Sequence, residues 1–425
     1  MRLSVTVSAT APRARAAPPR RRVLGALRHR NYRLFFGAQA ISTVGTWMQS
    51  IAQPWLVLQL THSGFLVGLV LALQTLPVLV LGPFGGVVAD RFPKRRVLQL
   101  TQAAFVAPAL VLFAVTWTHS VSYWVVVAAA LAWGLVQVVD MPTRQAFAIE
   151  MVGREDLMNA IALNSSVWNA AAVVGPSVAG VVIATAGVAP CFLLNALSYL
   201  PLIASLALMH NLPTLMSDAN RQPLQRRIAE GARYVARDPV VGAMLVVVAI
   251  FSMFAMNRLT LVPLFAEQVL GVGATGFGFL MAALGLGSLA GALTLAFRAS
   301  QASGRRQFWV GLCWPAALVG FSISRSFPVS VALLCIAGFC QMGFLAAANT
   351  RVQTATPDGL RGRVMAFYAQ AVTGVSPLGA TQAGALASLF GPPAAMAIGA
   401  AVAGAVIVAV RLLRPEVFTL EPSEL

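Results

Sequence analysis

An apolar run of roughly 20 residues or more recurs twelve times along the 425-residue chain, between short polar turns. That is the length an α-helix needs to cross about 30 Å of hydrocarbon. Inside a bilayer the backbone can bond only to itself, so the spanning options are helices or a closed barrel, and the ten-residue alternation of a barrel is absent. With 58% hydrophobic and only 10% charged residues, against about a quarter charged in a soluble chain, the expected fold is all-α and integral to a membrane. The spans fall near 33–59, 65–89, 95–117, 122–143, 158–186 and 188–210, then near 240–265, 273–298, 307–325, 328–349, 362–390 and 393–413.

A net charge of +17 would suit a nucleic-acid binder, so the placement of the bases decides. Nine arginines, Arg2 to Arg33, precede the first span. Most others cluster in alternate loops: Arg91, Lys94, Arg95 and Arg96; Arg144 and Arg154; Arg221 to Arg237; Arg298, Arg305 and Arg306; Arg351, Arg361 and Arg363; Arg411 and Arg414. Only Arg258 and Arg325 fall elsewhere. This is the positive-inside pattern, which places both termini in the cytoplasm with an even number of spans. No soluble segment is long enough to carry a nucleic-acid site, so the partner is the lipid bilayer.

The organisation expected is a basic tail without a fold over 1–30, a six-helix half over 31–210, a cytoplasmic linker over 211–238, a second half over 239–414 and a tail over 415–425. Within the linker, Arg226 to Arg237 has the mixed charge and the Ile228, Tyr234 and Val235 spacing of a surface helix. Thr143-Arg144 is echoed by Thr350-Arg351, and Gly175-Pro176 by Ser376-Pro377. Duplicated halves of this kind place a substrate site between them near the bilayer midplane.

Span one carries Gln39, Thr43, Thr46, Ser50 and Gln53 at helical spacing, one polar stripe that either joins helices by hydrogen bonds or lines a water-filled cavity. Trp47, Trp133, Phe251 and Phe254 are candidate aromatic walls. Arg258 is the base well inside a span. It either meets an anionic substrate group, pairs with a carboxylate of another helix, or snorkels to the outer headgroups. Glu267, nine residues on and beyond Pro263, points to the opposite face. Asp140 near one end of span four has Arg144 on the same face, with Lys94 and Arg95 as further candidate bases. Three readings stay open for it: a gate latch, a proton-responsive carboxylate, and a static salt bridge. Gly175, Pro176 and Gly180 in span five suit a hinge, because small residues allow close approach and proline removes one helical hydrogen bond.

Cys191, Cys313, Cys335 and Cys340 lie inside spans without metal-site spacing and read as small core hydrophobes. His29, His62, His119 and His210 are scattered at span ends, and no Walker A loop is present. An enzyme, a cofactor and direct use of ATP are therefore not expected.

The loop after span two reads Gly85-Gly86-Val87-Val88-Ala89-Asp90-Arg91-Phe92-Pro93-Lys94-Arg95-Arg96. It resembles the signature loop of the major facilitator superfamily, a glycine followed four and five residues later by Asp-Arg and then by further bases. A second run, Asp140-Met141-Pro142-Thr143-Arg144-Gln145-Ala146-Phe147, continues through Asn159-Ala160 and Asn164-Ser165 to Gly175-Pro176. Together with Asn31-Tyr32-Arg33-Leu34-Phe35-Phe36 and Gly45-Thr46-Trp47-Met48-Gln49, it is similar to the branch with the enterobactin exporter and macrolide-efflux proteins. The resemblance implies twelve transmembrane helices in two six-helix halves. It also implies a cytoplasmic gate of Gly86, Asp90, Arg91, Lys94, Arg95, Asp140 and Arg144, with Asp90 meeting the eleventh span near Gly362. The activity implied is that of a monomeric secondary transporter of the bacterial inner membrane, exporting small amphipathic molecules of drug or siderophore type by alternating access, with protons as the coupling ion. A uniporter or importer of the same fold is the alternative, and beyond it a non-transporting sensor, which should carry a soluble output domain.

Overall fold

The computed structural model describes residues 25–153, 155–210, 224–297 and 303–419, and among these every regular element is helical. In the first part of the chain the helices are α1 (Arg30–Thr61), α2 (Gly64–Arg91), α3 (Lys94–Trp117), α4 (Tyr123–Val152), α5 (Leu157–Ala186) and α6 (Ala189–Ala207). Then come α7 (Leu224–Arg237), α8 (Pro239–Phe254), α9 (Arg258–Gln268), α10 (Gly273–Phe297), α11 (Gly304–Ile323), α12 (Phe327–Ala355), α13 (Asp358–Ala369), α14 (Ser376–Phe390), α15 (Pro392–Leu413) and the short α16 (Glu416–Thr419). A π-turn, Gln370–Gly374, separates α13 from α14.

Nine helical stretches among the described residues are long and apolar enough to cross a bilayer, counting α8 and α9 as one. Three expected spans fall outside that set for visible reasons. Helix α1 carries the polar stripe, α11 opens on Arg305, Arg306 and Gln307, and the eleventh span is cut by the π-turn. Local chemistry sets the turns. The Ser63 hydroxyl accepts from the Leu66 N–H at the start of α2, Asp238 accepts from the Val240 and Val241 N–H groups at the start of α8, and Pro93 stands at the N-cap of α3.

Helices α1 to α6 pack on one another as one group, and α8 to α15 as a second. Residues 25–28, expected in the tail, form a 3₁₀ turn built into the first group: Ala26 is buried and its N–H donates to Asn159 Oδ1 at 2.9 Å. Beside it His29 Nε2 and Asp156 Oδ2 are 2.9 Å apart. Helix α7 lies against the second group. Arg363 of α13 binds Glu230, and the Tyr234 hydroxyl donates to the Ala355 carbonyl at 2.8 Å. Burial and the neighbouring Asp238 carboxylate push the Tyr234 phenol up to about 12, so it stays a donor.

The groups meet through α2 with α14 and through α5 with α10. Both contacts use glycine. A Cβ on Gly68 would stand 2.1 Å from the Ala380 carbonyl oxygen, and one on Gly278 would stand 2.8 Å from the Gly180 Cα. Stacked Trp55 and Phe277 rings, 5.9 Å apart, add a third contact. All of these lie at the end of the bundle away from the basic α2–α3 turn. Towards the basic end a Cβ on Gly82, Gly86, Gly359 or Gly362 would meet nothing within 4 Å. The groups are thus closed on each other at one end and splayed at the other.

Leucine at Gly180 would force α5 off α10. We expect Gly180→Leu to raise labelling of a cavity cysteine at Ser50 from the closed end severalfold; unchanged labelling would show that this contact does not seal that end.

Candidate functional site: a central cavity between two helix groups

A cavity of about 450 Å³ lies between the groups. Helix α1 supplies Thr46, Trp47, Gln49 and Ser50; α2 supplies Gln74 and Thr75; Trp133 and Gln137 come from α4, Trp168 from α5 and Asn195 from α6. The facing wall is Ser252, Asn257, Arg258, Gln370 and Thr373. Amides and hydroxyls among tryptophan rings and aliphatic side chains make a surface that is uncharged over most of its area and able to hold apolar bodies. The hydroxyls of Thr46 and Ser50 donate back to the Ser42 and Trp47 carbonyls, at 3.0 and 2.8 Å, so they can border a cavity without leaving a donor unpaired. Trp47 and Trp168 form an edge-to-face pair at 5.5 Å.

Of the residues singled out in the sequence, Thr46, Trp47, Ser50, Trp133 and Arg258 come together here. Gln39, Thr43 and Gln53 do not line the cavity, because α1 is 32 residues long and only its middle passes it. Thr43 bonds back to the Gln39 carbonyl, and Gln53 is buried with its Nε2 unpaired. Phe251 is fully buried, 4.8 Å from Trp314 and 4.9 Å from Phe344, as core of the second group. The lining also holds residues not singled out: Gln49, Gln74, Gln137, Trp168, Asn195, Gln370 and Thr373. Each amide among them stands inside an apolar span, the same signal that marked span one. Gln49 is the best connected, since Asn195 Nδ2 donates to its Oε1 at 2.6 Å and ties α1 to α6.

Two interrupted spans shape the second wall. Span seven is not continuous: α8 ends at Phe254 and α9 begins at Arg258. The Asn257 side chain donates to the Met253 carbonyl at 2.7 Å, taking over a bond that the next helical N–H would have made. Span eleven breaks at the π-turn, where the Ser252 hydroxyl donates to the Val372 carbonyl. Irregular backbone at membrane depth is tolerated where it lines a cavity, and both breaks do so.

Arg258 opens α9, and among the described residues it has no carboxylate within ion-pair distance. A base at such a depth costs about 2.5–3.5 kcal/mol on insertion scales. The guanidinium reaches the cavity, yet its Nε is buried without a partner.

The residues of the expected gate are placed as follows. Asp140 is 2% exposed and accepts four hydrogen bonds: from Thr101 Oγ1 at 2.7 Å, Gln102 Nε2 at 2.6 Å, and Arg144 Nε and Nη2 at 3.1 and 2.8 Å. Of the three candidate bases, Arg144 is therefore the one that pairs with it. Lys94 instead pairs with Glu150, both buried, at 2.8 Å. Arg95 donates to the Leu206 and Ala207 carbonyls at 2.6 and 2.8 Å, capping α6. Arg91 is exposed, Gly86 faces open space, and the Asp90 side chain lies outside the described residues.

Proline and glycine act together at two crossings. Pro142 cannot donate to the Val138 carbonyl, and Gly85 of α2 packs on that oxygen so closely that a Cβ would stand 1.9 Å from it. Pro176 likewise frees the Ala172 carbonyl, and Gly285 of α10 packs there, with a Cβ 2.7 Å away. Gly175 lies against Trp47 and Gly180 against Gly278, so the three expected hinge residues sit where α5 meets α1 and α10. Helix α5 itself runs unbroken through Pro176.

A bundle of apolar helices long enough to cross a bilayer, built around such a cavity, defines a polytopic membrane protein. The chain belongs to the major facilitator superfamily: the family model described as transmembrane secretion effector matches residues 22–424. It is 29% identical over 379 residues to the enterobactin exporter EntS of Shigella boydii, covering 86% of this chain and 87% of that one, and the Escherichia coli O1:K1 protein of that name matches equally. The nucleoside transporter NupG superposes with a TM-score of 0.74 at 11% identity, over 90% of this chain and 99% of that one. A bacterial homologue of the lysosomal transporter Spinster, in an inward-facing and unoccupied conformation, superposes with 0.69 at 13% identity, over 91% and 95%. The protein is thus an integral membrane transporter and not an enzyme.

Breaking one partner of a buried ion pair costs about 3–5 kcal/mol. Because the Arg144 side chain is 24% exposed, we expect Asp140→Asn to cost about 2 kcal/mol, lowering the thermal-unfolding midpoint in detergent. An unchanged midpoint would remove this cluster from the scaffold.

Proposed function

We propose that the protein is a secondary exporter working by alternating access, with twelve spans, both termini in the cytoplasm, and a six-helix half on either side of the 211–238 linker. The observation that carries this reading is the cavity of about 450 Å³, shut by glycine contacts at one end and open at the basic end. With the basic end in the cytoplasm by the positive-inside rule, this is the loading state of an exporter. The substrate is a small amphipathic molecule, since tryptophan rings and aliphatic side chains share the lining with amides and hydroxyls. The name of the enterobactin exporter favours outward transport of a siderophore over drug efflux.

The proton gradient is the proposed energy source, with the protein acting as a monomer. Asp140 is a poor proton carrier within that scheme. Its four donors all come from α3 and α4, so release of the carboxylate would require the first group itself to loosen. A role in holding the α3–α4 end that meets the second half in the opposite state fits this geometry better, together with Gly86, Asp90 and Arg91 at the loop.

Everted vesicles supply the test. Enterobactin should accumulate in them when the lumen is acidified, and a protonophore should abolish the accumulation. Accumulation that survives the protonophore would end the coupling proposal. No transport of enterobactin, macrolides or lipophilic cations would end the exporter reading.

A further inference from the structure

We propose that the cavity takes amphipathic organic anions, seating the anionic group between the Arg258 guanidinium and the first N–H groups of α9, with the apolar body against Trp47 and Trp168. The proposal rests on the reading of the chain as a transporter whose substrate occupies this cavity.

The break in span seven creates the subsite. Helix α9 is three turns long, and its first residues, Arg258, Leu259 and Thr260, line the cavity. The Asn257 side chain could have capped this helix but is turned back to the Met253 carbonyl. Among the described residues, the Arg258 and Leu259 N–H groups consequently have no acceptor; Thr260 and Leu261 are the first to bond, to the Asn257 carbonyl. A helix N-terminus carries partial positive charge and free donors, both suited to an anion.

Arg258 adds a full charge at the same point. Its Nε is buried and unpartnered. Among the described residues, no carboxylate lines the central cavity or the adjoining one of about 280 Å³ between α5 and the α10–α12 face, which Arg258 also borders. Glu267, the acid on its own helix, is exposed near the far end of α9. Charges inside spans persist in pairs or in wet cavities that serve ligands. Here the described residues supply no counter-ion, and a bound anion would be one. A cationic substrate would meet the same field as repulsion. The Trp47–Trp168 pair stands at the junction of the two cavities beside Arg258, and the Trp47 indole N–H is itself buried without an acceptor. Flat rings next to a positive subsite select a molecule with an apolar, preferably aromatic, body and one anionic end.

Three probes with one ring body separate charge from shape: dansylglycine (anion), dansylglycinamide (neutral) and dansyl-ethylenediamine (cation). Binding to the full chain in phosphatidylcholine nanodiscs is read by energy transfer from tryptophan. Charge-assisted hydrogen bonds of this kind correspond to about tenfold tighter binding of the anion than of the neutral probe. Arg258→Gln should bring the two to near parity, moving the neutral probe by less than about twofold, and Arg258→Lys should fall between.

A wild-type protein that binds the neutral or cationic probe as well as the anion, or that binds none, overturns the proposal. So does full anion preference in Arg258→Gln. The wild-type comparison and the lysine variant decide the matter even if the glutamine variant folds poorly. Flux of the same probes in proteoliposomes separates the two claims. Transport without anion preference leaves the transporter reading standing and ends the anion site, whereas anion-selective binding without flux of any probe does the reverse.

Discussion

Close contact between the two helix groups centres on glycines at one end, with the Trp55–Phe277 stack beside them, and the cavity exists because those contacts are not repeated at the other. Gly68 on the Ala380 carbonyl and Gly180 on Gly278 bring backbones to distances that any side chain would prevent. Such contacts gain dispersion energy and weak Cα–H···O bonds but bury no charge. Between apolar helices in lipid there is little hydrophobic force to add. An interface held this way can part without exposing an unpaired ion, whereas the ion pairs Lys94–Glu150 and Asp140–Arg144 both lie within the first group. Charge therefore stiffens the group, and close packing without charge joins it to the other.

Interrupted backbone follows the same division. The pairing of Pro142 with Gly85 lies inside the first group, and that of Pro176 with Gly285 lies between the groups. In each, a carbonyl deprived of its helical donor is met by the Cα of a glycine. The two breaks, at Ala255–Asn257 and at the π-turn, are both in the second group and both border the cavity. Side chains bond the Met253 and Val372 carbonyls there, and the Arg258 and Leu259 N–H groups, unpaired among the described residues, face the cavity and not lipid. One wall of the cavity is thus side-chain amides and rings on continuous helices, and the other is partly backbone.

Much of this was legible in the sequence, because a membrane leaves few options to a run of twenty apolar residues. The polar stripe of span one, Trp133, Arg258 and the Gly175-Pro176 pair were all visible as residues out of keeping with lipid. Three features were not. The break before Arg258 has no proline or glycine to mark it, and Asn257 inside an apolar run reads as one more polar position. Glu150 follows the second signature run, where nothing in the spacing links it to Lys94, 56 residues earlier. Phe251 was expected in the cavity wall and Trp168 was not singled out: an aromatic residue in an apolar span carries no sign of whether it faces core or cavity, and only packing placed Phe251 on Trp314 and Trp168 beside Trp47.

Whether the basic end closes when the other end opens is the question on which alternating access stands. Spin labels at Phe92→Cys, on the exposed α2–α3 turn, and at Gly359→Cys, where a side chain meets open space, would report the separation of the groups at that end by double electron–electron resonance. Two populations are expected, with the shorter distance growing when a proton gradient or substrate drives the cycle. A single distance under every condition would contradict alternating access between these two helix groups.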